Sequence, residues 1–138
     1  MQKYSELLRE LLAKRGIINE KQADIFLNPD YERDLHDPFL MKDMEKACGR
    51  IFEAIEAKEK IVIYADYDCD GIPGAVILND LFKLLKYKNY EVYIPMRNSE
   101  GYGLNLEALE QFRESGVKLL TTIDLGITAV AEVAQAEV

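Results

Sequence analysis

At 138 residues, 49% of them hydrophobic and 30% charged, the chain is the size of one ordinary domain and has enough apolar material to bury a core. No stretch approaches the roughly 18 consecutive apolar residues of a membrane span, and the opening MQKYSELLRE is a polar-punctuated helix unlike a secretion signal, so a soluble cytoplasmic protein with no membrane partner is expected. The formal net charge of −8 works against a basic face for nucleic acid within these residues, and the cysteines at 48 and 69 fit neither a zinc spacing nor a disulfide framework.

Residues 1–58 read as an N-terminal helical segment. YSELLRELLAKRG predicts a helix closing at Gly16, and NEKQADIFLNP a second, capped by Asn19 and stopped before Pro29. A third begins near Asp43, with Met44, Ala47, Ile51 and Ile55 at helical spacing. The intervening YERDLHDPFLM reads as a loop, and its His36, the single histidine of the chain, is assigned no catalytic role.

From residue 59 to 138 strands and helices alternate. KIVIYA is a buried strand, PGAVILNDLFKLLK a helix opened by Pro73, YEVYIP a strand, NLEALEQFRES a helix ended by Gly116, VKLLTTI a strand and TAVAEVAQAEV a final helix. The expected fold class is therefore α/β: N-terminal helices followed by a doubly wound parallel sheet. In such sheets the functional crevice lies beyond the carboxyl ends of the strands, where the winding reverses. The lysines of KLLKYKNY gather at a helix C-terminus, where they complement the dipole, and Tyr90 opens a strand that buries its ring; this plainer reading is preferred to a nucleic-acid patch.

At that crevice stand the acids. YADYDCDG places Asp66, Asp68 and Asp70 at alternate positions after the first strand, and Asp124 follows the third. Alternation predicts the first three on one side of an extended segment, with Gly71 turning the chain into the next helix and Cys69 pointing away into the core. Carboxylates this close repel one another unless a cation lies between them. Their hard oxygens suit Mg²⁺ or Mn²⁺, and paired ions about 3.5–4 Å apart serve phosphoryl chemistry. The helix opened by Pro73 is expected to offer free N–H groups to a phosphate. One aspartate at a strand end is ordinarily a solvated loop residue; three alternating ones with a fourth at a matching strand end favour a functional site.

YADYDCDGIPGA, then IPMRNSEGYGLN, then LLTTIDLGITAVAEV closely resemble the RecJ branch of the DHH phosphoesterases, single-strand-specific exonucleases acting 5′ to 3′, and LHDPFLMKDMEKACGRIFEAI is similar to the segment leading into the catalytic domain of that branch. The resemblance implies a partial DHH domain over 59–138, truncated after the second motif, in a hydrolase of DNA repair and recombination. By it Asp68, Asp70 and Asp124 are catalytic, Asp66, Asp68, Asp70 and Asp124 hold Mn²⁺ or Mg²⁺, two ions in the complete protein, and Arg97 holds substrate phosphate. The partner implied is single-stranded DNA, gripped by later domains, which reconciles the substrate with the acidic charge. Gly101 and Gly103 are read as turn formers.

The pattern also departs from the family. Ala65 stands where a glycine is common, and Pro73 or Gly74 where a small hydroxyl residue is common. The Asp-His-His motif that names the family, a further aspartate and a substrate-binding domain do not occur before Val138. These residues alone are therefore expected to be inactive and, with an apolar edge uncovered, to self-associate. Two other classes fit part of the pattern: a haloacid-dehalogenase-type phosphatase, with Asp68-x-Asp70 after a strand, and a non-catalytic DHH-fold replication scaffold.

Overall fold

The computed structural model describes residues 1–136, which form two compact units, Met1–Met44 and Glu45 onward. In the first unit, α1 (Glu6–Ala13) and α2 (Glu20–Leu27) are capped by the side chains of Ser5 and Asn19, and Leu12 and Ala23 are their buried residues. Asp24 ties the N-terminus to α2, accepting from Lys3 Nζ at 2.7 Å and from the Tyr4 hydroxyl at 2.7 Å.

The stretch read as a loop contains a short helix, α3 (Tyr31–Asp34), and a 3₁₀ turn, Pro38–Leu40. Its residues supply their own caps. Asp30 accepts from the Arg33 amide at 2.9 Å, Asp34 accepts from the Asp30 amide at 2.8 Å, and Asp37 accepts from the Phe39 amide at 2.9 Å. The Arg33 guanidinium beside Asp34 holds that carboxyl down at about 2. Side-chain capping of this kind leaves no hydrophobic period to read, and so the loop assignment fails here.

The second unit opens with α4 (Met44–Glu56), followed by β1 (Lys60–Ala65), α5 (Gly71–Leu84), β2 (Tyr90–Tyr93), α6 (Leu106–Glu114), β3 (Val117–Ile123) and α7 (Val130–Ala136). The last two residues of the expected final helix lie outside the described ones. All strand pairs are parallel, in the order β2-β1-β3, with Ile63 opposite both Val92 and Thr121.

The central strand is buried on both faces, hence its unbroken apolar sequence. Ile61, Ile63 and Ala65 pack with Ala54 of α4 and Ala75 and Phe82 of α5, while Val62 and Tyr64 pack with Ala108, Leu109 and Phe112 of α6. Helices thus cover both sides, as the doubly wound reading expects. Tyr87 and Tyr90 are structural: both rings meet Phe82 edge-on, at 5.9 and 4.9 Å between centroids, and their hydroxyls bond to Glu59 O and to Asn79.

The passage from β1 to α5 differs from expectation in a way that shapes the site. Residues 66–70 form a turn instead of continuing the strand, and the helix starts at Gly71, two residues before Pro73. Gly71 is required for close approach: a Cβ there would come within 2.7 Å of the carbonyl carbon of Asp66 and 2.8 Å of its nitrogen. Gly74 seats the same helix against β3, since a Cβ would lie 2.6 Å from Ile123 Cγ2. Cys69, expected in the core, is exposed because the turn breaks the alternation.

Gly71→Ala should therefore lower stability by about 2 kcal/mol, the cost of overpacking against main chain. Gly49→Ala on α4, where a Cβ meets nothing within 4 Å, should raise it by about 0.5–1 kcal/mol. Urea-unfolding midpoints of the two variants check the contrast.

Candidate metal centre

The parallel register sets Ala65 of β1 beside Ile123 of β3, and the Asp66 amide donates to Ile123 O at 3.2 Å. The two chains therefore leave the sheet side by side, and their next acids meet. One carboxylate oxygen from each of Asp66, Asp68 and Asp124 lies within 4.8 Å of the others.

Asp66 is 3% exposed and its Oδ1 is buried with no hydrogen-bond donor. A buried carboxylate oxygen without a donor is costly unless a proton or cation meets it. Asp68 caps α5: its Oδ1 accepts from the Asp70 amide at 2.9 Å and the Gly71 amide at 3.0 Å. Those two bonds, that from Gly71 first, hold its carboxyl below the ordinary range. Asp124 is pushed up, first by loss of surrounding water and then by the charges of Asp68, Asp70 and Asp66. The rise at Asp124 is the effect expected of like charges crowding one small volume, whereas the amide donors account for the opposite shift at Asp68. The donor set, three hard oxygens with one buried and unpaired, fits a divalent cation.

Asp70 stands outside this trio. It has helical torsions (φ −105°, ψ −43°) at the head of α5, and so does not share the side of the chain that alternation gives Asp66 and Asp68. It remains near enough for its charge to act on Asp124.

The expected phosphate-binding helix terminus is not formed. The amides of Asp70 and Gly71 go to the Asp68 carboxylate, those of Ile72 and Gly74 go to the carbonyls of Asp68 and Asp70, and Pro73 has none. Each N–H at the head of α5 is thus engaged or missing.

Arg97 lies over the ring of Tyr67, the residue between two of the acids, with its guanidinium carbon 5.3 Å from the ring centroid. The loop that carries Arg97 is fixed by groups the motif reading left without a role. Glu100 accepts from the Tyr93 hydroxyl of β2 and from the Met96 amide at 2.6 Å; Gly103 O accepts from the buried Tyr64 hydroxyl of β1 at 2.9 Å; and the Tyr102 hydroxyl donates to Asp124 O at 3.1 Å. Gly101 and Gly103 have φ of 76° and 97°, in keeping with turn formation. Tyrosines at strand ends beside a glycine-rich loop were the available signal, but the Tyr64–Gly103 and Tyr102–Asp124 partners, 39 and 22 residues apart in sequence, cannot be matched without the sheet register.

A parallel sheet whose adjacent strand ends gather carboxylates suited to a cation defines an α/β domain with a candidate metal centre at its carboxyl edge. The family described as DHH family, N-terminal domain, matches residues 60–138, and the chain belongs to it. It is similar to the single-stranded-DNA-specific exonuclease RecJ of Bacillus subtilis, at 44% identity over 127 residues, 91% of this chain and 16% of that protein. The proteins of the same name from Haemophilus influenzae and Thermus thermophilus are 31% and 33% identical over 128 and 104 residues, 93% and 73% of this chain and 21% and 15% of theirs. The chain therefore spans between about a seventh and a fifth of the length of these relatives. Among the described residues no helix is long and apolar enough to cross a membrane.

The Glu100 clamp has a pH signature. The hydrogen bonds from Tyr93 and Met96 hold its carboxyl below the ordinary 4.5, so the stability it contributes is complete above that value and is lost as the pH falls through the depressed one. Carboxyl-carbon NMR should show Glu100 titrating below 4.5, with the Met96 amide shifting in step, and Glu100→Gln should abolish that step. A Glu100 midpoint at or above 4.5 would contradict the clamp.

Proposed function

We propose that this chain is the metal-binding part of a RecJ-type exonuclease that hydrolyses phosphodiester bonds of single-stranded DNA from the 5′ end, in the cytoplasm, during repair and recombination. The observation that carries the reading is the approach of Asp66, Asp68 and Asp124 around a buried carboxylate oxygen that lacks a donor. Residues 59–138 are assigned to the catalytic DHH domain and 1–58 to the helical segment before it. The relatives, all named as exonucleases, favour neither the dehalogenase-type phosphatase nor the scaffold.

In this reading Asp66, Asp68, Asp70 and Asp124 would hold Mn²⁺ or Mg²⁺, two ions in the complete protein, the first, second and fourth of these acids being those whose oxygens converge. The bound ions lower the pKa of water and offset charge on the phosphate oxygens. The chain's own contribution is placement. Asp68 is oriented by its two amide donors, and Asp66 is shielded from water. Arg97 receives the substrate phosphate, its plane supported by the Tyr67 ring.

These 138 residues contain one histidine, His36, which is not among the clustered carboxylates. Self-association of residues 1–138 is proposed through apolar side chains such as Val76, Ile77 and Leu84 of α5, which are 51%, 69% and 80% exposed.

In the complete protein, EDTA should abolish degradation of 5′-labelled single-stranded DNA and Mn²⁺ should restore it. Asp124→Asn should remove activity, and Arg97→Ala should raise KM roughly tenfold with kcat largely kept, the loss expected for one charge-assisted contact. Full activity in EDTA would end the metal reading.

A further inference from the structure

The third strand ends in an unusual conformation. Asp124 follows Ile123 directly and has φ of 60°, in the left-handed region that is uncommon for non-glycine residues, though aspartate enters it more readily than most. The register that pairs Ala65 with Ile123 makes Asp66 and Asp124 neighbours across the strand ends. Left-handed torsion at 124 ends the strand there and turns the chain back against the sheet, with Leu125 packed on the Val62–Tyr64 face and Gly126 close to Thr122, while the carboxylate stays beside Asp66 and Asp68.

What touches the Asp124 main chain is a side chain from another loop. The Tyr102 hydroxyl donates to Asp124 O at 3.1 Å. Tyr102 is 66% exposed, so its ring adds little core packing and the hydroxyl contact is its specific interaction. Gly101 and Gly103, both at positive φ, flank it and allow the chain to present it there. The same loop is pinned at Glu100 by Tyr93 of β2 and by the Met96 amide, and at Gly103 by Tyr64 of β1. One loop is thus bonded to all three strand ends, and its free tyrosine reaches the residue that most needs support.

We propose that Tyr102 is a positioning residue for the carboxylate cluster: its hydroxyl holds the Asp124 main chain in the left-handed conformation that keeps the Asp124 carboxylate with Asp66 and Asp68, and Glu100 fixes the loop that delivers it. Their influence passes through the backbone of Asp124 and rests, for its effect on metal affinity, on the metal reading above.

The test uses the 138-residue chain with Tyr102→Phe, which removes the hydroxyl and keeps the ring, and with Glu100→Ala. Three quantities are read: the melting temperature, the Asp124 backbone conformation from its HN–Hα coupling and Cα and Cβ shifts, and Mn²⁺ affinity from the free-ion EPR signal. For Tyr102→Phe the fold should persist, Asp124 should move toward extended values, and Mn²⁺ affinity should fall roughly fivefold, the span one hydrogen bond commands. Glu100→Ala should change Asp124 and the affinity in the same direction. A Tyr102→Phe chain that keeps the left-handed shifts of Asp124 overturns the proposal, and so do altered shifts with unchanged affinity. Should the parent chain bind no Mn²⁺, the metal reading falls by itself, and the Asp124 shifts alone decide whether Tyr102 positions that residue.

Discussion

Mutual repulsion among the carboxylates of Asp66, Asp68 and Asp124 is the constraint around which the second unit is arranged. Their oxygens are within 4.8 Å of one another, and one of them is buried without a donor. Left to itself such a group would spread into water or take up protons. Each acid is instead fixed by a separate device: Asp66 by its amide bond to β3 and by burial, Asp68 by capping α5, and Asp124 by a left-handed backbone under the Tyr102 hydroxyl. The fold therefore confines charge at one point, and a divalent cation is the partner that would relieve it.

The support for that confinement begins in the core. Because β1 is buried on both faces, its carboxyl end is held rigidly, and Gly71 and Gly74 allow α5 to lie against Asp66 and Ile123 at distances that a side chain would forbid. The Asp68 carboxylate then replaces the missing cap of Asp70, whose own side chain makes no capping bond. This arrangement uses the helix amides that would otherwise invite a phosphate, and Arg97, stacked on Tyr67, is the cationic side chain proposed for that role. The clustered carboxylates thus come from the segments after β1 and β3, and Arg97 from the loop after β2; the three segments leave the same end of the sheet because the strands are parallel.

Much of this was legible in the sequence. The β1 and β3 boundaries follow from apolar runs bounded by a lysine, a glycine and acids, and the helices on both faces follow from strand–helix alternation. The convergence of Asp66 and Asp124 is a consequence of where parallel strands end. What could not be read was local geometry that overrides periodicity. Alternation gives Asp70 the same side as Asp66 and sends Cys69 inward, whereas the turn over residues 66–70 sends Asp70 into the helix head and Cys69 to solvent. Glu100 looks like another acid in a polar loop until Tyr93 and Met96 are seen to donate to it. The short α3 stayed hidden because it is held by caps and the Arg33–Asp34 pair, with no apolar stripe to show it.

The account stands on the claim that these three carboxylates form one cation site. The direct measurement is paramagnetic broadening by substoichiometric Mn²⁺ in the amide spectrum of the isotopically labelled chain. The account expects losses confined first to the amides around residues 66–70 and 124–126. Broadening spread evenly over the other acidic residues, or none near Asp66 and Asp124, would contradict it.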